Sequence, residues 1–162
     1  MMRVFCVVFL LVLLFPESLY AADWSVKFGP SIQDSTPEGS AKIFGVRREA
    51  YQFYGVYLAQ EVGGYVDNGG RGRKGAAFGS FQVGVAPGPD VGLYGKAFLG
   101  PCLISTRDSQ LGGFGQFCSN MGVGFRDRTS FLGVNYMHIS SAGLAYPNRG
   151  RDFMAFEMGL RF

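Results

Sequence analysis

The sequence predicts an all-β fold, an eight-stranded antiparallel transmembrane β-barrel, on three observations. Segments of roughly 9 to 13 residues with period-two alternation recur from Trp24 to the end of the chain, the length needed by a strand that crosses a bilayer tilted at about 45°. One face of each segment is apolar while the other carries Gly, Ser, Gln, Lys or Glu. The connections alternate short and long, as they do in barrels with short periplasmic turns and longer outer loops.

The chain begins with a segment of another kind. Arg3 forms a short positive region, residues 4–15 are an unbroken apolar run, and Leu19, Tyr20, Ala21 and Ala22 end it with small residues at a plausible cleavage point. A run of that length is too short for a spanning helix, which needs roughly 20 residues. Residues 1–22 are therefore expected to be a cleaved secretory signal peptide, and 23–162 the barrel. Removing Arg3 and Glu17 leaves the net charge at +3. That balance is too mild to argue for nucleic acid, and there is no basic helix.

In chain order, strand one is expected over 24–32, with Trp24, Val26, Phe28 and Ile32 outward and Lys27 in the lumen. Strand two is expected over 41–48 with Phe44 and Val46 outward, followed by a turn over 47–51 and strand three over 52–63 with Glu61 inward. Strand four, 76–86, turns Phe81, Val83 and Val85 out and Gln82 in; strand five, 91–103, places Lys96 inward. Strand six, 113–125, puts Phe117, Met121, Val123 and Phe125 outward. Cys102 and Cys118 then share the lumen face across a hairpin, an arrangement compatible with either a disulfide or two buried thiols. Eight strands leave an interior largely filled by side chains, which argues against an open pore.

Strand seven has Leu132, Val134, Tyr136, His138 and Ser140 on one face, the lipid-facing one. His138 is the single histidine of the chain. Ser140 lies two residues on, with its Cα roughly 6.5 to 7 Å away on the same face. After a loop containing Gly143, Pro147, Asn148 and Gly150, Asp152 has the parity of the outward row Met154, Phe156, Met158, Leu160 and Phe162. Glu157 has the opposite parity and is expected in the lumen. A polar trio on a lipid-facing row is costly unless its members pair and serve a purpose. These three are the candidate site.

The run His138-Ile139-Ser140-Ser141-Ala142, then Pro147-Asn148-Arg149-Gly150-Arg151-Asp152 and an alternating strand ending in Phe162, resembles the lipid A 3-O-deacylase (PagL) family of outer-membrane barrels. The specific match covers about the last 30 residues. The resemblance implies an ester hydrolase that needs no metal or organic cofactor. Ser140 would be nucleophile, His138 base and Asp152 the orienting acid, with lipid A of the outer leaflet as substrate. Ser141 stands where that family typically has Asn, and Asp152 where its characterised acid is Glu. The oxyanion site is expected among Ser141, Ala142 and Gly143, and Arg149 and Arg151 are candidate contacts to lipid A phosphates. A non-catalytic barrel with surface-binding loops and an esterase acting on phospholipid are the other two readings. A homodimer is left open.

Overall fold

The computed structural model describes residues 22–32, 41–67, 74–106, 111–146 and 148–162. The expected signal peptide, apart from Ala22, lies outside the described residues. Eight strands pair each with the next, and β8 pairs with β1, so the sheet closes on itself. They are β1 (Ala22–Pro30), β2 (Lys42–Phe53), β3 (Val56–Asp67), β4 (Lys74–Val85), β5 (Gly92–Ile104), β6 (Gly115–Arg126), β7 (Ser130–Ser140) and β8 (Arg151–Leu160). All pairings are antiparallel. Closure leaves no open sheet edge, and only such a sheet satisfies its own backbone groups in hydrocarbon.

The expected faces are the observed ones. Phe28, Phe44, Val83, Leu99, Val123, Leu132 and Phe156 are exposed on the outer wall, while Lys27, Glu61, Gln82, Lys96, Asn120 and Glu157 are buried inside. The boundaries that differ most from the sequence reading are the β2–β3 turn and the end of β3, which runs on to Asp67 rather than stopping at 63. The turn expected over 47–51 is instead continuous strand, and the β2–β3 hairpin closes through Tyr54 and Gly55, both at positive φ (50° and 79°). A two-residue hairpin favours that geometry because its twist matches that of the strands. The charged run Arg47-Arg48-Glu49 imitates a turn, yet Arg47 and Glu49 point into the lumen and pair there.

Cys102 and Cys118 are both free and buried. The register sets Cys118 opposite Gly100 and Cys102 opposite Gln116, so the two are offset by two residues rather than directly opposed. Of the two expected arrangements, the structure has the pair of thiols.

The lumen is filled by a network to which every strand contributes. Arg47 binds Glu49 at 2.5 Å and Glu61 at 3.0 Å, Lys27 pairs with Glu61, and Lys96 bridges Glu49 and Glu157, each at 2.7 Å. Gln82 accepts from Arg47 and from Asn120, Lys27 donates to Asn120 and to Met137 Sδ, and Ser25 donates to Glu157. Three cations thus face three carboxylates. Buried charges cost several kcal/mol each to desolvate, so such a cluster is stable only when every member has partners. Lys96→Met, which takes one cation from two buried carboxylates, is expected to cost roughly 3–5 kcal/mol. Arg149→Met, at an exposed loop residue, should stay within about 0.5 kcal/mol. Urea unfolding of the refolded barrel followed by gel mobility checks both.

Candidate active site

The site lies at the end of the barrel opposite Ala22, Phe162 and the short turns. There β7 runs out at Ser140 and β8 begins at Arg151. The antiparallel register places His138 directly across from Asp152, a position where facing side chains have Cβ atoms about 4.5–5.5 Å apart. The result is a direct contact: His138 Nδ1 lies 2.6 Å from Asp152 Oδ1. Tyr136, one step down the same outward row, donates its phenol O–H to that same carboxylate oxygen at 2.5 Å. Asp152 is buried at 8% exposure despite its outward parity. On the β1 side, the Ile32 N–H donates to the Asp152 carbonyl at 3.0 Å, which holds the start of β8 against β1.

Ser140 lies on the same row as His138, half-buried, and is paired across to Phe117 of β6. Among the described residues no hydrogen bond joins its hydroxyl to the imidazole. Contacts of this kind often tighten only when substrate is bound. Ser119 of β6 stands opposite His138 on the side away from Asp152.

The loop over 141–150 is organised from within. Ser141 is fully buried; its N–H donates to Asn148 Oδ1 at 2.9 Å, and its hydroxyl donates to the Ala145 carbonyl at 3.0 Å. The Leu144 N–H closes a turn on the Ser141 carbonyl, with Ala142 and Gly143 at its centre, both at positive φ (50° and 84°). Of the three expected oxyanion residues, Ser141 is therefore committed to holding the loop. Ala142 and Gly143 are exposed, and their N–H groups donate no hydrogen bond among the described residues. Gly150 is buried with φ 72°, and a Cβ there would sit 2.8 Å from His138 Cε1. Only a residue without a side chain lets the loop close over the imidazole.

The two arginines separate. Arg149 is exposed in the loop. Arg151 was expected beside it as a phosphate contact, but it opens β8 on the lumen row, 4% exposed, with its guanidinium 5.0 Å from the centre of the Tyr65 ring. The period of the strand turns it inward, because Asp152 must point out. Glu157 is likewise inside, bound to Lys96 and Ser25.

Sequence reasoning missed Tyr136, Asn148 and Gly150 as parts of the site. Tyr136 carried a signal in its parity, which is that of His138. The side-chain bond of Asn148 to the Ser141 backbone depends on the path of the loop, which strand periodicity does not describe.

The geometry agrees with three comparisons of different strength. In a solved-structure comparison, the crystal structure of the outer membrane enzyme PagL superposes with a TM-score of 0.61 at 22% sequence identity, covering 86% of this chain and 99% of that one. The attachment invasion locus protein Ail of Yersinia pestis superposes with a TM-score of 0.58 at 10% identity, over 87% of this chain and 97% of that one. A second structure of Ail, in a phospholipid bilayer nanodisc, gives 0.53 at 12% identity, over 87% and 99%. At these identities the likeness is one of fold, and the fold is shared by proteins of different roles. No curated protein matches in sequence. The family model described as lipid A 3-O-deacylase (PagL) matches residues 47–161, a span that takes in β7, the loop and β8. With the closed barrel around it, that match makes this chain an outer-membrane β-barrel that belongs to the lipid A 3-O-deacylase (PagL) family.

Proposed function

We propose that this barrel hydrolyses the ester-linked 3-hydroxyacyl chain at the 3-position of lipid A in the outer leaflet. The observation that carries the reading is the His138–Asp152 contact on the lipid-facing row, together with Ser140 on the same row. An imidazole and a carboxylate facing lipid are expensive to keep there without a function. In the orientation that puts Ala22, Phe162 and the short turns on the periplasmic side, the site opens at the outer leaflet, where lipid A lies.

In the proposed mechanism Ser140 Oγ attacks the ester carbonyl while His138 Nε2 takes its proton. The imidazolium then returns that proton to the departing 3-hydroxyl oxygen of the sugar. Asp152, bonded at Nδ1, selects the tautomer with Nε2 free and stabilises the imidazolium. Water, activated by the same nitrogen, releases the fatty acid from Ser140. For the oxyanion, the open donors are the N–H groups of Ala142 and Gly143 and the Asn148 side-chain amide, whose Oδ1 is already engaged by Ser141. One such donor is worth on the order of a hundredfold in rate. The protein supplies all of these groups without a metal or organic cofactor.

Arg149 is available to a phosphate of the substrate from the loop, since arginine's planar fork matches phosphate oxygens. Its exposure leaves it free to follow a headgroup.

Expression in a bacterium with fully acylated lipid A, followed by mass spectrometry of the extracted lipid A, tests the reaction. Wild type is expected to remove one hydroxyacyl chain, and Ser140→Ala none while still folding into the membrane. Intact lipid A in both strains would sink the assignment, and altered phospholipid instead would move it to a phospholipid ester. The roles of the two acids are separable in the same assay. Asp152→Asn should lose on the order of 10⁴ in rate, the cost of a wrong tautomer. Glu157→Gln, a lumen change, should leave the rate of the folded fraction near wild type. Equal losses would contradict the assignment of Asp152.

A further inference from the structure

We infer that Tyr136 is a positioning residue for this reaction, holding the Asp152 carboxylate in the orientation from which that carboxylate directs His138. The inference rests on the reading of Asp152 as the orienting acid. Its basis is a three-residue chain along the outer wall. Tyr136 OH donates to Asp152 Oδ1 at 2.5 Å, and the same oxygen lies 2.6 Å from His138 Nδ1.

The register explains how the phenol gets there. Tyr136 is opposite Met154 and His138 is opposite Asp152, so the tyrosine reaches diagonally across the strand pair, a span within range of an aromatic side chain. A short aspartate bonded by the imidazole alone would be free to rotate about its terminal torsion, which is broad. A second donor on the same oxygen removes that freedom and supplies a hydrogen bond to a carboxylate in a low-dielectric setting, where charge-assisted bonds are strong. The phenol gains as well. Below it on the row stand Val134 and Leu132, which offer its O–H no partner.

No other group competes for this role among the described residues. Facing the pair from β6 is Ser119, opposite His138; from β7, Ser140; from β8, Met154; and just past the end of β1, Ile32 approaches by its backbone. Arg151 is adjacent in sequence but turned inward over Tyr65, and Arg149 is exposed in the loop. The Tyr136 hydroxyl bonds to Asp152 rather than to His138 or Ser140, so its effect passes through Asp152.

Tyr136→Phe keeps the ring and its apolar surface and deletes only the donor. With purified, refolded enzyme and lipid A in mixed micelles, kcat is expected to fall about tenfold with KM unchanged, the scale of a lost hydrogen bond to a charged group. In an Asp152→Asn background the same substitution should cause no further loss, because the two residues act as one unit. An unchanged kcat, a change confined to KM, or an equal loss in both backgrounds would overturn the inference. A second readout needs no activity. His138 is the single histidine, so the Nδ1–H proton resonance of the folded Ser140→Ala barrel reports one site; Tyr136→Phe should displace it, and an unmoved signal overturns the inference. If wild type leaves lipid A intact, the proposed reaction fails, while the resonance still decides whether Tyr136 positions the Asp152–His138 pair.

Discussion

The structure depends on the burial of three cations and three carboxylates inside a closed sheet. Lys27, Arg47 and Lys96 meet Glu49, Glu61 and Glu157 at the centre of the lumen, and Gln82, Asn120 and Met137 extend the network to the remaining strands. A slip of β1, β2, β3, β5 or β8 by one residue would turn its charged member to the lipid and bring an apolar residue into the cluster. The penalty for an unpaired buried charge is large enough to make the register effectively unique. Hydrogen-bonded closure alone would tolerate several registers; the charges select one.

That selection reaches the outer wall. Met137 and Ile139 flank His138 on the inner face, both fully buried, and the buried Arg151 and Phe153 do the same beside Asp152. With the inner residues of β7 and β8 packed, the outer ones have no latitude along the strand. The His138–Asp152 contact therefore follows from interior packing as much as from its own attraction. A site built on strands is also more rigid than one on loops, as positioned catalysis requires. The loop adds what strands cannot: backbone donors at positive φ, and a glycine that lets the chain pass over the imidazole.

Much of this was legible in the sequence because a strand's period is two and the lipid punishes exceptions. The faces of all eight strands, the inward Glu157 and the outward trio follow from parity alone. The same rule misled where local composition was read in preference to parity. Arg47, Arg48 and Glu49 have the polarity of a turn, but alternation through them continues into Tyr51, and a charged lumen needs such residues in mid-strand. Arg151 looks like a loop arginine until parity is carried one residue back from Asp152. What parity does not contain is the offset between strands, and so the two cysteines remained undecided. Nor does it describe the path of residues 141–150, where Ser141 spends its donors on the loop itself.

A full lumen and the proposed site on the outer wall together restrict what the barrel can act on. No substrate passes through an interior packed with ion pairs, and a water-soluble ester would have to enter the lipid boundary to meet a row that continues into Val134 and Leu132. A lipid arrives there by lateral diffusion with its acyl chains already in hydrocarbon, so its headgroup ester is delivered at the depth of the loop. Cleaving that ester in place leaves the released chain in the membrane and the sugar in the headgroup layer. Neither product need cross the protein, which is why eight strands and a solid core are enough.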